Sequence, residues 1–315
     1  CTEITISKNN VTANTNDGIT LRENSGNNTV CDNNLIGNRD GIYLYNAHGN
    51  TVARNNIIET ENFGIELFEA TNNLLTANHV KNGAKTAIAM ALSSNNTFCL
   101  NSFINNMQQA DLEYCGTNFW DNGREGNYWS NLATIDLDED GIGDVAYTIE
   151  QNNTDFHPLM GPCHDFTVTY LSDGCEKIDH ILIISNSTIT DFTLEIGQQL
   201  NESQPESPTR ITFYATGEEG NTGFCRVTIP RNVLNGSYIV LVGPHEVSAR
   251  ELGVSNSTHA CLYFTYEHST LQVVIISEFP LSDGLLFLIL TLFLVCLFKY
   301  RICWCKTRFC FKTVR

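Results

Sequence analysis

The sequence predicts an all-β chain: a right-handed parallel β-helix, then a β-sandwich, then a single C-terminal transmembrane helix. Three observations predict it. Apolar residues recur in register about every 23 residues over the first third of the chain. Short β-branched runs separated by turn formers fill residues 163–277. An apolar stretch near the C-terminus has acids before it and bases after it.

The repeat comes first. Gly18, Gly41, Gly64 and Ala87 fall 23 residues apart, and each is followed by isoleucine: Ile19, Ile42, Ile65 and Ile88. Two residues further on stand Leu21, Leu44, Leu67 and Met90. A second column is Val11, Leu35, Ile57, Val80 and Phe103; a third is Val30, Val52, Leu75 and Phe98. Within each unit apolar and polar residues alternate, the period of a strand. Asn, Asp and Gly separate the runs, as turns require. Some 23 residues at about 3.3 Å each suit the circumference of a three-sided coil. Residues 1–117 are therefore read as five coils of one solenoid. The leucine pattern and helical half-repeat of a leucine-rich solenoid are missing. Asn9, Asn33, Asn55, Asn78 and Asn101 each precede the second column by two residues. Because they keep step with the core, they are read as an amide ladder at a bend rather than as sugar ligands. The chain begins at Cys1 and repeat sequence starts by Ile4 with no capping element, which reads as a truncated start rather than a lipoprotein terminus.

Residues 118–162 break the repeat and are expected to close the helix. Phe119, Trp120, Tyr128 and Trp129 suit a lid over the last coil. Asp136, Asp138, Asp140 and Asp144 then occupy positions 1, 3, 5 and 9 of a loop with Gly141 at position 6, and the carbonyl of Ile142 stands at position 7. Alternating carboxylates converging on one hard cation are the logic of a calcium loop. Position 12 is Tyr147, so the bidentate glutamate of a cytosolic sensor is absent. Calcium is the cofactor expected here.

The run Gly126-Asn-Tyr-Trp-Ser-Asn131, the acidic loop through Asp144, Tyr147 and Asp155-Phe-His-Pro-Leu-Met160 resemble the closing segment of NosD-like β-helix proteins, as found on archaeal surfaces. The resemblance covers residues 1–160. It implies a right-handed parallel β-helix of the kind seen in carbohydrate-binding proteins and sugar hydrolases, and it carries a periplasmic copper-binding label. Copper is not expected in this chain. Met90, Met107 and Met160 are its 3 methionines, no His-x-His occurs, and His48, His79 and His157 stand apart and read as structural.

Residues 163–277 hold seven apparent strands (166–170, 181–184, 210–214, 225–229, 238–242, 262–266 and 271–276), the signature of an immunoglobulin-like sandwich serving as a stalk. Residues 281–301 approach the roughly 20 apolar residues a bilayer needs. Residues 302–315 are a basic tail, so the positive side is expected to be cytoplasmic and the ectodomain extracellular.

The formal charge is −17, yet 6 basic residues lie between Lys299 and Arg315. The remainder carries 12 Lys and Arg against 35 Asp and Glu. Such an acidic ectodomain excludes backbone binding to nucleic acid. Eight of the 12 cysteines precede the apolar segment; no CxxC pair marks a zinc site, and disulfides suit the exterior. Glycosylation acceptors occur at Asn10, Asn27, Asn95, Asn152, Asn186, Asn201, Asn235 and Asn256.

The function expected is that of a membrane-anchored surface protein that presents a β-helix face to glycans, envelope or partner surfaces without catalysis. The alternative is a polysaccharide lyase, hydrolase or epimerase; copper delivery is a third. The catalytic candidates for that alternative are Asp17, Asp40, Glu66 and the neighbouring Glu61. Asp17 and Asp40 are expected to stack one coil apart with Phe63 above them, and no lysine or arginine base completes a site. Aspartate before a turn glycine is ordinary.

Overall fold

The computed structural model describes residues 1–150, 152–172, 174–197 and 208–277. It is all-β. The first coil contributes β1 (Thr5–Ser7), β2 (Asn10–Thr12) and β3 (Asp17–Arg22). The second gives β4 (Thr29–Cys31), β5 (Asn34–Ile36) and β6 (Asp40–Tyr45). The third gives β7 (Thr51–Ala53), β8 (Asn56–Ile58) and β9 (Phe63–Phe68). The fourth gives β10 (Leu74–Thr76), β11 (His79–Lys81) and β12 (Thr86–Ala91). The fifth gives β13 (Thr97–Cys99), β14 (Ser102–Ile104) and β15 (Gln108–Glu113).

Strand stacks on strand in parallel to give three sheets, β1-β4-β7-β10-β13, β2-β5-β8-β11-β14 and β3-β6-β9-β12-β15. The registers are those the repeat expects: Val30 over Val52, Leu75 and Phe98; Leu35 over Ile57, Val80 and Phe103; Ile19 over Ile42, Ile65 and Ile88. These columns meet in one buried core. Gly41 and Gly64 sit where the chain turns into the third sheet. A Cβ on Gly64 would lie 2.2 Å from Val80 Cγ1 and 2.7 Å from the Ala87 carbonyl, which is why the position tolerates so little.

Two buried amide ladders run the length of the solenoid. In one, Nδ2 of each asparagine donates to Oδ1 of the next, Asn9 to Asn33, Asn55, Asn78, Asn101 and Asn127, at 2.9–3.0 Å. The second runs Asn28, Asn50, Asn73, Asn96, Asn118 in the same direction. Each amide also satisfies backbone at the bend, as Asn78 Nδ2 does with the Val52 carbonyl at 2.8 Å.

Residues 118–162 close the end. β16 (Tyr128–Trp129) adds a sixth strand to the second sheet, and β17 (Tyr147–Glu150) pairs with β18 (Asn153–Asp155) as a hairpin. Trp120 stacks on Phe98 with centroids 4.3 Å apart, and Trp129 covers Phe103 at 4.6 Å. Both ladders end on β18. Asp155 accepts from Asn127 N and from Trp129 Nε1, each at 2.8 Å, and Asn153 Oδ1 accepts from Asn118 N and Trp120 Nε1.

The remaining strands are β19 (Cys163–Ser172), β20 (Cys175–Ser185), β21 (Thr188–Glu195), β22 (Arg210–Thr216), β23 (Thr222–Pro230), β24 (Tyr238–Val242), β25 (His245–Val247), β26 (Arg250–Glu251), β27 (His259–Glu267) and β28 (Thr270–Ser277). They form two antiparallel sheets, β19-β20-β23-β27-β26 and β21-β22-β28-β24-β25. Ile181, Val227 and Phe264 of one meet Ile211, Phe213 and Ile275 of the other in a second core. All seven strands expected from sequence lie within this set. β21 was not expected: Asp191 in its middle has φ 51° and the register shifts between Thr190 and Thr193, so its polar–apolar alternation breaks there.

The expected membrane span 281–301 and basic tail 302–315 lie outside the described residues. Among the described residues no helix is long and apolar enough to cross a membrane.

Candidate functional site

Outward positions of the third sheet bring three coils' side chains onto one face. The alternation that buries Ile42 and Leu44 turns Tyr43 and Tyr45 outward, and the next coil places Glu66 beside Tyr43 and Phe68 beside Tyr45. Tyr45 and Phe68 stack with centroids 5.6 Å apart and planes 25° apart. Tyr43 is 6.1 Å from Tyr45, and the Arg22 guanidinium lies over the Tyr43 ring at 5.5 Å. The floor continues over small residues, Ala89 above Glu66 and Ala91 above Phe68. The result is an aromatic strip with a carboxyl and a guanidinium along its edge.

Of the four carboxylates singled out in the sequence, Asp17, Asp40 and Glu66 are gathered here but are not equivalent. Asp17 and Asp40 do stack one coil apart. Asp40 is wholly buried: Oδ2 accepts from Arg39 Nε at 3.0 Å and Oδ1 accepts from the Phe63 backbone N–H at 3.0 Å. It is a structural acceptor at a bend. Asp17 Oδ2 accepts from Thr20 Oγ1 at 2.9 Å and Arg22 Nη2 at 3.3 Å. Glu66 is half-buried. Burial, then the charges of Asp40 and Asp17, push its carboxyl up to about 7. Glu66 is thus the carboxyl of the trio poised to gain or lose a proton near neutrality. Glu61 is exposed and its backbone N–H donates to the Asn38 carbonyl. Tyr43, Tyr45, Phe68 and Arg22 were not singled out in the sequence, although their outward positions follow from the columns.

The acidic loop divides. Ligand oxygens of Asp136, Asp138 and Asp144 lie within 4.8 Å of one another. Asp140 does not join them: it caps Ile142 N at 2.8 Å and turns to Arg226 of the sandwich. Ile142 is buried and bridges Leu159. Arg226, only 1% exposed, donates from Nη1 to the Asp140 carbonyl at 2.8 Å and from Nη2 to Glu125 at 2.7 Å. Arg250 Nη2 donates to the carbonyls of Asp138 and Glu139. The loop is therefore also the place where cap and sandwich meet. Among the acceptor asparagines, Asn27, Asn95, Asn186 and Asn256 lie on turns or loops of the described residues, Asn10 on β2, and Asn235 just before β24. Asn152 precedes β18, and Asn201 lies outside the described residues.

The histidine donors that copper would need are engaged elsewhere. His79 and His164 lie together with ring centroids 5.1 Å apart, but His79 Nε2 is bonded to the Cys163 carbonyl at 2.7 Å. Burial pushes His164 down to about 3 and lowers His79 as well. His48 is bonded to Asn46 and Thr71. The three-group cluster found among the described residues is all carboxylate, a hard oxygen set that suits calcium better than copper.

Comparison with known proteins places the solenoid. Residues 1–134 match the family model described as periplasmic copper-binding protein (NosD); the copper in that description weighs against the expectation that copper is not bound. Two proteins described as "Probable ABC transporter binding protein NosD" match over 52 residues. The one from Pseudomonas aeruginosa is 42% identical and the one from Stutzerimonas stutzeri 38%, each over 16% of this chain. The matched segment spans 12% of the length of these relatives. The periplasmic alginate epimerase AlgG matches 34% of this chain and 27% of its own at 28% identity with a TM-score of 0.33.

Proposed function

From the premise that residues 1–134 carry the β-helix of the NosD family, we propose that this chain is a binding protein of the cell exterior whose third sheet docks saccharide rings without turning them over. One observation carries the reading: the Tyr43–Tyr45–Phe68 strip runs along the sheet with Glu66 and Arg22 at its edge. A pyranose has an apolar face for the rings and hydroxyls for the carboxyl and guanidinium. The carboxylates Asp17 and Asp40 on this face are already engaged, which leaves no free pair for turnover. Glycoside hydrolysis asks for two working carboxyl groups, and Asp40 is sealed while Asp17 is held by Thr20 and Arg22. The lyase, hydrolase or epimerase reading rests on Glu66 alone, and copper delivery rests on the family's description.

The test is a glycan array followed by calorimetry. Tyr45→Ala with Phe68→Ala is expected to lower affinity about 10–100-fold, as stacked aromatics at a binding site do. Glu66→Gln is expected to flatten the pH dependence of folding stability up to about 7, measured by urea denaturation. The sign follows from the raised pKa. The native state holds the Glu66 proton more tightly than the unfolded chain. Its contribution to stability is full below about 4.5 and is lost as pH rises through about 7. Turnover of a bound polymer that Glu66→Gln abolishes would replace this reading with the enzymatic one.

Calcium belongs to the same proposal as a structural ion at Asp136, Asp138 and Asp144. Adding calcium is expected to raise the melting temperature of the full chain, and Asp138→Asn to remove the increment. An unchanged melting temperature in the parent protein would withdraw the ion.

A further inference from the structure

The outward columns of the third sheet continue past the aromatic strip into a notch. One column runs Tyr43, Glu66, Ala89, Asp111; the other runs Tyr45, Phe68, Ala91, Glu113. Stacked strands lie about 4.8 Å apart, so the Glu66–Phe68 row and the Asp111–Glu113 row stand about 10 Å apart. The floor between them is the two methyl groups of Ala89 and Ala91. The Tyr45–Phe68 stack forms the lower wall.

The carboxylates around this notch lack partners. Glu66 is half-buried, yet it accepts no hydrogen bond among the described residues. Taking a carboxyl part-way out of water without a donor is unfavourable, and a ligand that brings one relieves it. Glu69 at the end of β9, and Asp111 and Glu113 on β15, are exposed and form no ion pair or side-chain hydrogen bond among the described residues. The cations of the face are committed elsewhere. Arg22 pairs with Asp17 at 3.3 Å, Arg39 pairs with Asp40 at 3.0 Å, and Lys85 donates to Asn62 Oδ1 at the entry edge of the sheet. Four carboxylates without an acid–base partner therefore face one cation, Lys85, that has no acid of its own. A pyranose with hydroxyls alone answers Glu66 and leaves the surplus negative charge unmatched; a uronate adds to that surplus.

We infer that this face takes a glycan that carries free amino groups, its rings on Tyr45 and Phe68 and one ammonium in the notch over Ala89 between Glu66 and Asp111. The inference rests on the saccharide reading of the same face and adds the charge of the ligand to it. Glu69 and Glu113 flank the notch on the Phe68 side and receive the next amine of the polymer. Glu66 is faced by Tyr43 and Asp40 of β6, Asp17 of β3, Arg39 before β6, and Ala89 then Asp111 from the coils above. Burial, then Asp40 and Asp17, hold its carboxyl at about 7. An ammonium prefers the ionised form, so the help Glu66 gives to binding is absent well below about 7 and present above it.

The full chain is titrated calorimetrically with a short glucosamine oligomer, its N-acetylated counterpart and a glucuronate oligomer. The glucosamine oligomer is expected to bind tightest, the acetylated one about tenfold more weakly, and the glucuronate oligomer not to bind. Added salt is expected to weaken the first and leave the second unchanged. Asp111→Asn and Glu113→Gln are surface changes that leave the core intact. Each is expected to lower affinity for the amine about 3–10-fold and to leave the acetylated oligomer unaffected. Glu176→Gln, on the remote β19–β20 hairpin, is expected to change neither. Because the ligand's own amine also titrates, the parent is compared with Glu66→Gln at each pH. The ratio of their affinities is expected to be near one at about pH 5.5 and to rise severalfold by about pH 7.5. Acetylated and free-amine oligomers binding equally, tighter binding of the glucuronate oligomer, or an equal loss in Glu176→Gln would overturn the amine assignment and leave the saccharide reading standing. Failure of all three oligomers to bind would overturn both.

Discussion

Replacing Asn78 with alanine is expected to destabilise the β-helix by about 3–5 kcal/mol, far more than a polar substitution normally costs. Its Oδ1 accepts from both the backbone N–H and Nδ2 of Asn55 at 3.0 Å. Its Nδ2 donates to the Val52 carbonyl at 2.8 Å and to Asn101 at 2.9 Å. Alanine removes partners from groups on the coil below and the coil above at once, in a bend that water does not reach. Asn56→Ala is the matched control. Asn56 Nδ2 donates to Asn34 Oδ1 at 2.8 Å, but this Asn34–Asn56 pair lies on the half-exposed side, where water replaces a lost partner. A cost of about 0.5–1 kcal/mol is expected there. Urea denaturation of both variants makes the comparison. Equal costs would mean that the buried ladder contributes no more than a surface hydrogen bond.

Arg226→Met is expected to uncouple the sandwich from the β-helix. Arg226 spans from β23 to the cap and pairs with Glu125 at 2.7 Å and Asp140 at 3.4 Å while almost fully buried. Methionine fits the stem but leaves both carboxylates facing an apolar group. Breaking a buried pair in this way costs about 3–5 kcal/mol. Because the two cores are separate, the loss falls on the docking between them. One calorimetric transition is expected to split into two, with the sandwich melting apart from the solenoid. A double-mutant cycle with Glu125→Gln isolates the pair. A coupling near zero with an unsplit transition would show that the junction is held elsewhere, for example by Arg54–Asp165 and His79–Cys163.

The solenoid was legible because its physics is periodic. Gly18, Gly41 and Gly64 recur since each leaves room for a core residue of the next coil, so spacing alone gives the register. The same spacing carried an unread signal. Asn28, Asn50, Asn73 and Asn96 precede the Val30 column by two residues, as Asn33 precedes Leu35, and they form the second ladder. The face was half legible. Asp17 over Asp40 follows from the register, but no local pattern says that Asp40 is sealed by Arg39 and the Phe63 amide while Glu66 is left unpaired. Those outcomes depend on neighbours a coil away. The acidic loop was legible as a carboxylate cluster and illegible as a joint, because Arg226 reaches Asp140 across 86 residues of sequence.

The two ladders have a direction, and the direction has an end. Every asparagine donates toward the cap, and the last acceptor of the first ladder is Asp155, which takes Asn127 N and Trp129 Nε1. An ionised carboxylate has nothing to donate onward. Stacked parallel strands with amide ladders are also the construction of amyloid, in which each layer templates the next. At the capped end the last acceptor and the two indoles over Phe98 and Phe103 are themselves buried under the closing segment, so no open rung is presented to a further layer. Ending the first ladder on the buried Asp155 carboxylate leaves that end of the solenoid without an unpaired rung, the feature by which stacked parallel strands extend into fibres.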